Sequence, residues 1–109
     1  MDSKRPDAQA AHEFTLTAML PALAGVNLIY GLGMLDSGMT WDYAQAVMHN
    51  ETLRMVTRAV EGIPVSDAEI AMDVIRDVGP GGEFITHRHT LENMQRPSRV
   101  TLFDRNARD

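Results

Sequence analysis

Val26-Asn27-Leu28-Ile29-Tyr30-Gly31-Leu32-Gly33-Met34-Leu35-Asp36-Ser37-Gly38 is the stretch on which the fold turns. Residues 26–30 are short, partly β-branched and closed by Gly31 and Gly33, which reads as one buried strand. Residues 31–38 read as a glycine-punctuated loop. Asp36 stands where a dinucleotide-binding fingerprint would carry its third glycine, so a nucleotide turn is set aside. One strand cannot stabilise itself, because its N–H and C=O groups need neighbouring strands. The sequence therefore predicts a mainly α chain with one short strand, extended only where it meets a partner.

Helical patterns flank this stretch on both sides. Upstream, Ala11, Phe14, Ala18 and Ala22 recur at helical spacing from about Asp7 to Leu23, with Pro6 suited to the first turn. Pro21 predicts a kink or an early end near Leu20. Downstream, Thr40 is a plausible N-cap for a helix to about Glu61, with Gly62 as its C′ residue and Asn50 as a possible break. Its apolar positions include Tyr43, Ala44, Val47, Met48, Leu53, Val56 and Val60, with Ile63 beyond. Ser66-Asp67-Ala68-Glu69 is a capping box opening a helix to Val78, with Ile70, Val74, Ile75 and Val78 inward. Gly79-Pro80-Gly81-Gly82 closes it, and a last short helix is expected at 88–95.

Composition narrows the function classes. Of 109 residues, 44% are apolar and 23% charged, which is globular rather than disordered. The net charge of −5 is uneven: residues 1–82 carry 11 acidic and 5 basic side chains, a net of −6, and residues 83–109 a net of +1. An acidic body is a poor match to phosphate backbones, so nucleic acid is not an expected partner. The chain has no cysteine, which rules out disulfides and thiolate sites and fits a cytoplasmic location. No apolar run approaches the ~20 residues that span a membrane.

A family resemblance rests on several segments. Asp2-Ser3-Lys4-Arg5-Pro6-Asp7-Ala8-Gln9-Ala10 and Leu23-Ala24-Gly25-Val26-Asn27-Leu28-Ile29-Tyr30-Gly31 carry it first. Gly33-Met34-Leu35-Asp36-Ser37-Gly38, Asp73-Val74-Ile75 and Val78-Gly79-Pro80-Gly81-Gly82 follow, then His87-x-His89-Thr90-Leu91 and Leu102-Phe103-Asp104-Arg105. In this order and spacing the chain resembles the C-terminal quarter of the trimethylamine methyltransferase family. The resemblance implies a (β/α)₈ TIM barrel that moves a methyl group from a methylated amine to the cobalt of a separate corrinoid protein. The substrate is trimethylamine in some members and a quaternary amine such as glycine betaine in others.

On that barrel, Val26–Tyr30 would be the last strand and Asp7–Leu23 the helix before it. The remainder would be C-terminal helices, with residues 1–96 as the barrel-derived part and 97–109 as an irregular tail. A complete barrel needs roughly 250 residues. The resemblance therefore implies a fragment that is inactive alone. It binds no cofactor directly, since the cobamide rides on the partner corrinoid protein. Apolar faces that lost their neighbours imply self-association, or binding of the missing barrel portion. The alternative is a small helical interaction module or remnant without catalysis, built on the amphipathic 40–78 pattern.

Active sites of such barrels sit at the C-terminal ends of the strands. This places Tyr30, Gly31, Met34, Asp36 and Ser37 as residues facing substrate or corrinoid. Tyr30 offers a π face to a methylammonium group, worth about 2 kcal/mol when desolvated. Asp36 offers countercharge, and the glycines permit close approach to the backbone. The competing reading packs Tyr30 in the barrel and makes 31–38 a tight connection. No catalytic residue follows from the pattern.

The other chemistry-bearing residues read as structural. His87-x-His89 has no third ligand beside it, so no metal site is assigned and a capping role for the last helix is preferred. His12 and His49 read as surface residues. Trp41 and Tyr43, two apart on a helix, would not share a face. Met48, Met55 and Met72 read as core filler.

Overall fold

The computed structural model describes residues 1–94, 96 and 100–103. In chain order it has α1 (Ala8–Leu23), β1 (Met34–Leu35), β2 (Thr40–Trp41), α2 (Tyr43–Val60), α3 (Asp67–Ile70), α4 (Met72–Val78) and α5 (Arg88–Asn93). The chain is mainly helical, as its pattern predicts. The strand assignment is corrected: 26–30 forms no strand, and the two strands lie within and just beyond the segment read as loop. They pair antiparallel, Met34 opposite Trp41 and Leu35 opposite Thr40. Among the described residues no backbone group of Asn27–Tyr30 has a hydrogen-bond partner, which is why an extended segment there stays irregular. No described helix is long and apolar enough to cross a membrane.

Two compact units follow from the packing, one from Met1–Glu61 with the C-terminal residues and one from the described part of 62–98. In the first, α1 starts at Asp7, whose carboxylate accepts from the Ala10 N–H at 3.0 Å. Pro6 thus precedes the cap rather than opening the helix. Pro21 does not end α1, which continues to Leu23. Pro21 withholds only its own N–H from the helix, and the last turn still closes through the Ala24 N–H to Leu20 O at 3.1 Å.

The α2 helix begins two residues later than its apolar pattern suggests. Asp42, not Thr40, is its N-cap and accepts from the Gln45 N–H at 2.8 Å. Thr40 belongs to β2, and Asn50 breaks nothing. Gly62 follows the C-cap with φ 73°, as expected of a C′ glycine.

The core of this unit is Phe14, Ala18 and Val56, with Met19, Ala22, Ile29, Leu32 and Leu53 around it. The buried residues of α2 are unlike the apolar face read from sequence: Gln45, His49 and Val56 share one side, and Glu51 is buried on another. Tyr43 and Val47 are exposed, and Met48, Met55 and, in the second unit, Met72 are too open to be filler. Glu51 is satisfied from far along the chain. Its carboxylate accepts from the N–H groups of Thr101 and Leu102, and Arg54 lies 3.6 Å away. These two amides, the Leu102 bond first, hold the Glu51 carboxyl below the usual range. Residues 101–102 are thus fastened to α2, whereas 97–99 and 104–109 of the expected tail lie outside the described residues.

In the second unit, Ser66 caps α3 by accepting from the Glu69 N–H at 3.4 Å, and the Glu69 carboxylate meets the Ser66 hydroxyl. Glu69 also pairs with Arg96 at 2.8 Å. The single helix expected to Val78 is split by Ala71, which is buried in a left-handed conformation (φ 50°, ψ 45°). Ile70 and Ile75 are consequently about half exposed rather than inward. The last helix, α5, opens at His87, whose Nδ1 accepts from the His89 N–H at 3.1 Å. Its Nε2 faces Asp77 at 3.4 Å. His87 therefore caps the helix, the role preferred for it from sequence; Gln95 of the expected span lies outside the described residues.

Candidate functional site

The turn joining β1 to β2 has positive φ at Asp36 (48°), Ser37 (54°) and Gly38 (88°). Two non-glycine residues in the left-handed region are costly and need outside support. The N-terminal segment supplies it. The Asp36 N–H donates to Ser3 O and the Ser37 N–H to Met1 O, both at 2.8 Å. The Ser37 hydroxyl donates to Asp2 Oδ1 at 3.0 Å, and Lys4 Nζ pairs with Asp36 at 3.2 Å. Glu13 anchors the same segment from α1, accepting from the N–H groups of Asp2 (2.7 Å) and Ser3 (3.1 Å). The Gln9 amide first, then those N–H groups, hold its carboxyl below the usual range.

This arrangement leaves an open cleft of about 350 Å³, a size suited to a small molecule. Tyr30, Gly31, Met34 and Ser37 line it, with Phe14 and Thr17 of α1 opposite. The structure thus gathers four of the five residues singled out from sequence. The fifth, Asp36, does not line the cleft, and its charge is met by Lys4. Tyr30 is 78% exposed.

The wall behind the cleft is built by residues that sequence reading placed elsewhere. His49 is not on the surface: it is 1% exposed, and its ring stacks on Phe14 with centroids 3.6 Å apart and planes 5° from parallel. Its Nδ1 accepts the Gly33 N–H at 2.9 Å, and its Nε2 meets the Gln45 amide. Gln45 and His49 are four apart on α2 and so share a face, a spacing that could have signalled the pair. Trp41 and Tyr43 do touch, edge to face at 4.6 Å, because Trp41 lies on β2 and not on a helix. The Trp41 indole N–H donates to Leu32 O at 2.7 Å, closing the other side of the same glycine turn.

Burial pushes His49 down to about 4, with the N-terminal ammonium adding to the effect. Between the ordinary value of 6.5 and about 4, the unfolded chain binds a proton that the folded chain refuses. Stability is therefore full above 6.5 and falls as pH drops through that window, on the order of 2 kcal/mol once salt screens the ammonium contribution. Urea unfolding between pH 7 and 5 checks this, since the carboxylates, with ordinary values of 3.8 to 4.5, stay largely ionised there. The expected slope disappears in His49→Phe; a slope that persists would assign it to other groups.

No group of three or more histidine or carboxylate side chains converges among the described residues.

Comparison with known proteins bears on what such a cleft serves. Trimethylamine methyltransferase MttB of Desulfitobacterium hafniense (strain DSM 10664 / DCB-2) is 56% identical over the whole chain, which covers 22% of that protein. MttB of Methanosarcina thermophila is 47% identical over 95% of this chain and 22% of its own length. Glycine betaine methyltransferase of Desulfitobacterium hafniense (strain Y51) is 39% identical over 99% of this chain and 23% of its own. The chain thus spans about a fifth of the length of these curated relatives. The sequence profile of the trimethylamine methyltransferase (MTTB) family matches residues 1–107, and this chain belongs to that family.

Proposed function

We propose that the chain is the C-terminal part of a methyltransferase that takes a methyl group from a methylated amine and passes it to a corrinoid protein. The amine is trimethylamine or a quaternary amine such as glycine betaine. The observation that carries the reading is a family match over residues 1–107 that includes every residue of the cleft. At about 350 Å³ the cleft suits a methylated amine and is too small for a corrinoid ring, which stays with its partner protein. Tyr30 presents its ring to the cationic nitrogen. Gly31 allows close approach, and Met34 and Phe14 supply apolar contacts for the methyl groups. Asp36, neutralised by Lys4, is a hinge of the wall rather than the countercharge.

The rest of the relatives' length completes the barrel, with 26–30 as its last strand. Two features support this. The backbone of Asn27–Tyr30 has no partner among the described residues, and beside it lies an apolar groove of about 290 Å³ lined by Val26, Leu28, Ile29, Val56 and Val60. Leu20, Leu23 and Leu28 stand exposed nearby. Covering each such side chain is worth roughly 1.5–3 kcal/mol. Alone, the chain is expected to self-associate through this face, sedimenting at micromolar concentration as a species heavier than 12.1 kDa. A sharp monomer would show that the face is stable uncovered.

The functional test pairs the chain with the upstream portion of the Desulfitobacterium hafniense relative. Methyl transfer to cob(I)alamin is followed by its visible spectrum, with trimethylamine or glycine betaine as donor. The pair is expected to turn over one donor and the chain alone neither. Turnover by the chain alone, or by no combination, would contradict the reading. The second reading, a non-catalytic helical module, draws on the core that α1 and α2 form between themselves, and an inert pair with a tight complex would favour it.

A further inference from the structure

We propose that His49 is the positioning residue of the cleft, a neutral imidazole protonated at Nε2 that holds the Gly33 amide and the Phe14 ring in place together. The identity of the ligand rests on the amine reading above, whereas the hold itself stands on the geometry.

The protonation state follows from hydrogen-bond accounting. Nδ1 accepts the Gly33 N–H at 2.9 Å, so a proton on Nδ1 would set donor against donor. In a neutral ring the proton is then on Nε2. Nε2 faces the Gln45 side-chain amide, which must meet that proton with its oxygen. With the amide nitrogen turned to the ring, Gln45 Oε1 is buried without a partner. Turning the amide gives the Nε2 proton its acceptor and gives Gln45 Oε1 its missing partner in the same contact.

Each hold acts on a different piece of the wall. Gly33 is fixed at its N–H by His49, at its carbonyl by the Asp42 N–H (2.9 Å), and through Leu32 O by the Trp41 indole (2.7 Å). The turn it anchors carries Gly31 and Met34 into the cleft. Phe14 stacks on the His49 ring and also lines the cleft. No other side chain offers both a flat aromatic face and an in-plane acceptor in this volume. Asparagine keeps the acceptor and loses the stack; phenylalanine keeps the stack and loses the acceptor. The role is therefore specific to histidine rather than to a buried group of that size.

The test uses the full chain, isotope-labelled, by NMR at neutral pH. Long-range ¹H–¹⁵N spectra of the unmodified protein are expected to show Nδ1 bare and Nε2 protonated. The opposite tautomer, or a charged ring, overturns the proposal even if no variant folds. In His49→Phe the Gly33 amide is expected to lose its hydrogen-bonded shift and to exchange at least tenfold faster, while Phe14 keeps its packing. In His49→Asn the Gly33 amide stays protected and the Phe14 resonances move. A Gly33 amide unchanged in His49→Phe would also overturn the proposal, since a merely space-filling histidine would leave it so. Trimethylammonium, titrated as probe against the Tyr30 and Gly31 amides, is expected to bind about tenfold more weakly to His49→Phe, the effect of one lost hydrogen bond. No response of the unmodified protein to trimethylammonium would count against the amine reading, while the Gly33 result decides the positioning role independently.

Discussion

Gly33→Ala is expected to cost more than about 3 kcal/mol and to dismantle the turn behind the cleft. Gly33 has φ +80°, and a Cβ there would sit 2.7 Å from Trp41 Nε1, 2.9 Å from Ala46 Cβ and 2.9 Å from Asp42 O. The left-handed conformation alone costs an alanine roughly 1–2 kcal/mol. The overlap adds about 1–3 kcal/mol, because two of the three neighbours are backbone or helix-borne and cannot step aside. Moving the turn instead would release the bonds to His49 and Trp41, each worth about 1 kcal/mol. Gly25→Ala separates these effects. Its φ is +84° but nothing lies within 4 Å, so it should lose only the conformational share. Urea unfolding followed by the fluorescence of Trp41, the single tryptophan, reads both. Equal losses at the two positions would mean that the turn yields freely.

Phe14→Ala should be at least as damaging, about 3–5 kcal/mol, the usual cost of emptying a buried aromatic site. Phe14 is 4% exposed and belongs to the core with Ala18 and Val56. Its loss would also strip the His49 ring of its stacking partner and admit water beside Gln45. For a small core such a loss approaches the whole stability of the unit, so unfolding is the expected outcome at 37 °C. Leu20→Ala on the same helix, at 63% exposure, should stay within about 0.5 kcal/mol in the chain kept dilute enough to be monomeric. Thermal unfolding by circular dichroism compares the two. A small effect of Phe14→Ala would show that the core relies on other contacts.

How much of this was legible can be judged element by element. The α1 helix was, because Phe14 and Ala18 recur on one face and both are buried. The Ser66 cap and the His87 cap were legible too, since each depends on residues within three positions. The start of α2 was not: Thr40 and Asp42 are both competent caps, and the hairpin that takes Thr40 out of contention forms only when β1 and β2 pair. The buried side of α2 was also beyond periodicity. Counting apolar positions cannot find buried polar residues such as Gln45 and His49 on one side of the helix and Glu51 on another. Their partners come from the Gly33 amide and from residues 101–102, far along the chain. Four cleft residues were found through the family pattern, but the wall that holds them was not, because its contacts are set by tertiary packing. Residues 26–30 form no strand here; on the barrel reading proposed above, their extended form depends on a neighbour supplied by the rest of the relatives' length.

That dependence is the centre of the account, and amide hydrogen exchange at Asn27, Leu28, Ile29 and Tyr30 tests it most directly. In the chain alone, kept dilute, these amides are expected to exchange without protection, as groups lacking any partner do. Adding the upstream portion of the Desulfitobacterium hafniense relative should slow them by at least a hundredfold as they join a sheet, leaving the α2 amides little changed. Amides already protected in the dilute chain, or unmoved by the upstream portion, would contradict the claim that 26–30 is a strand waiting for its partner.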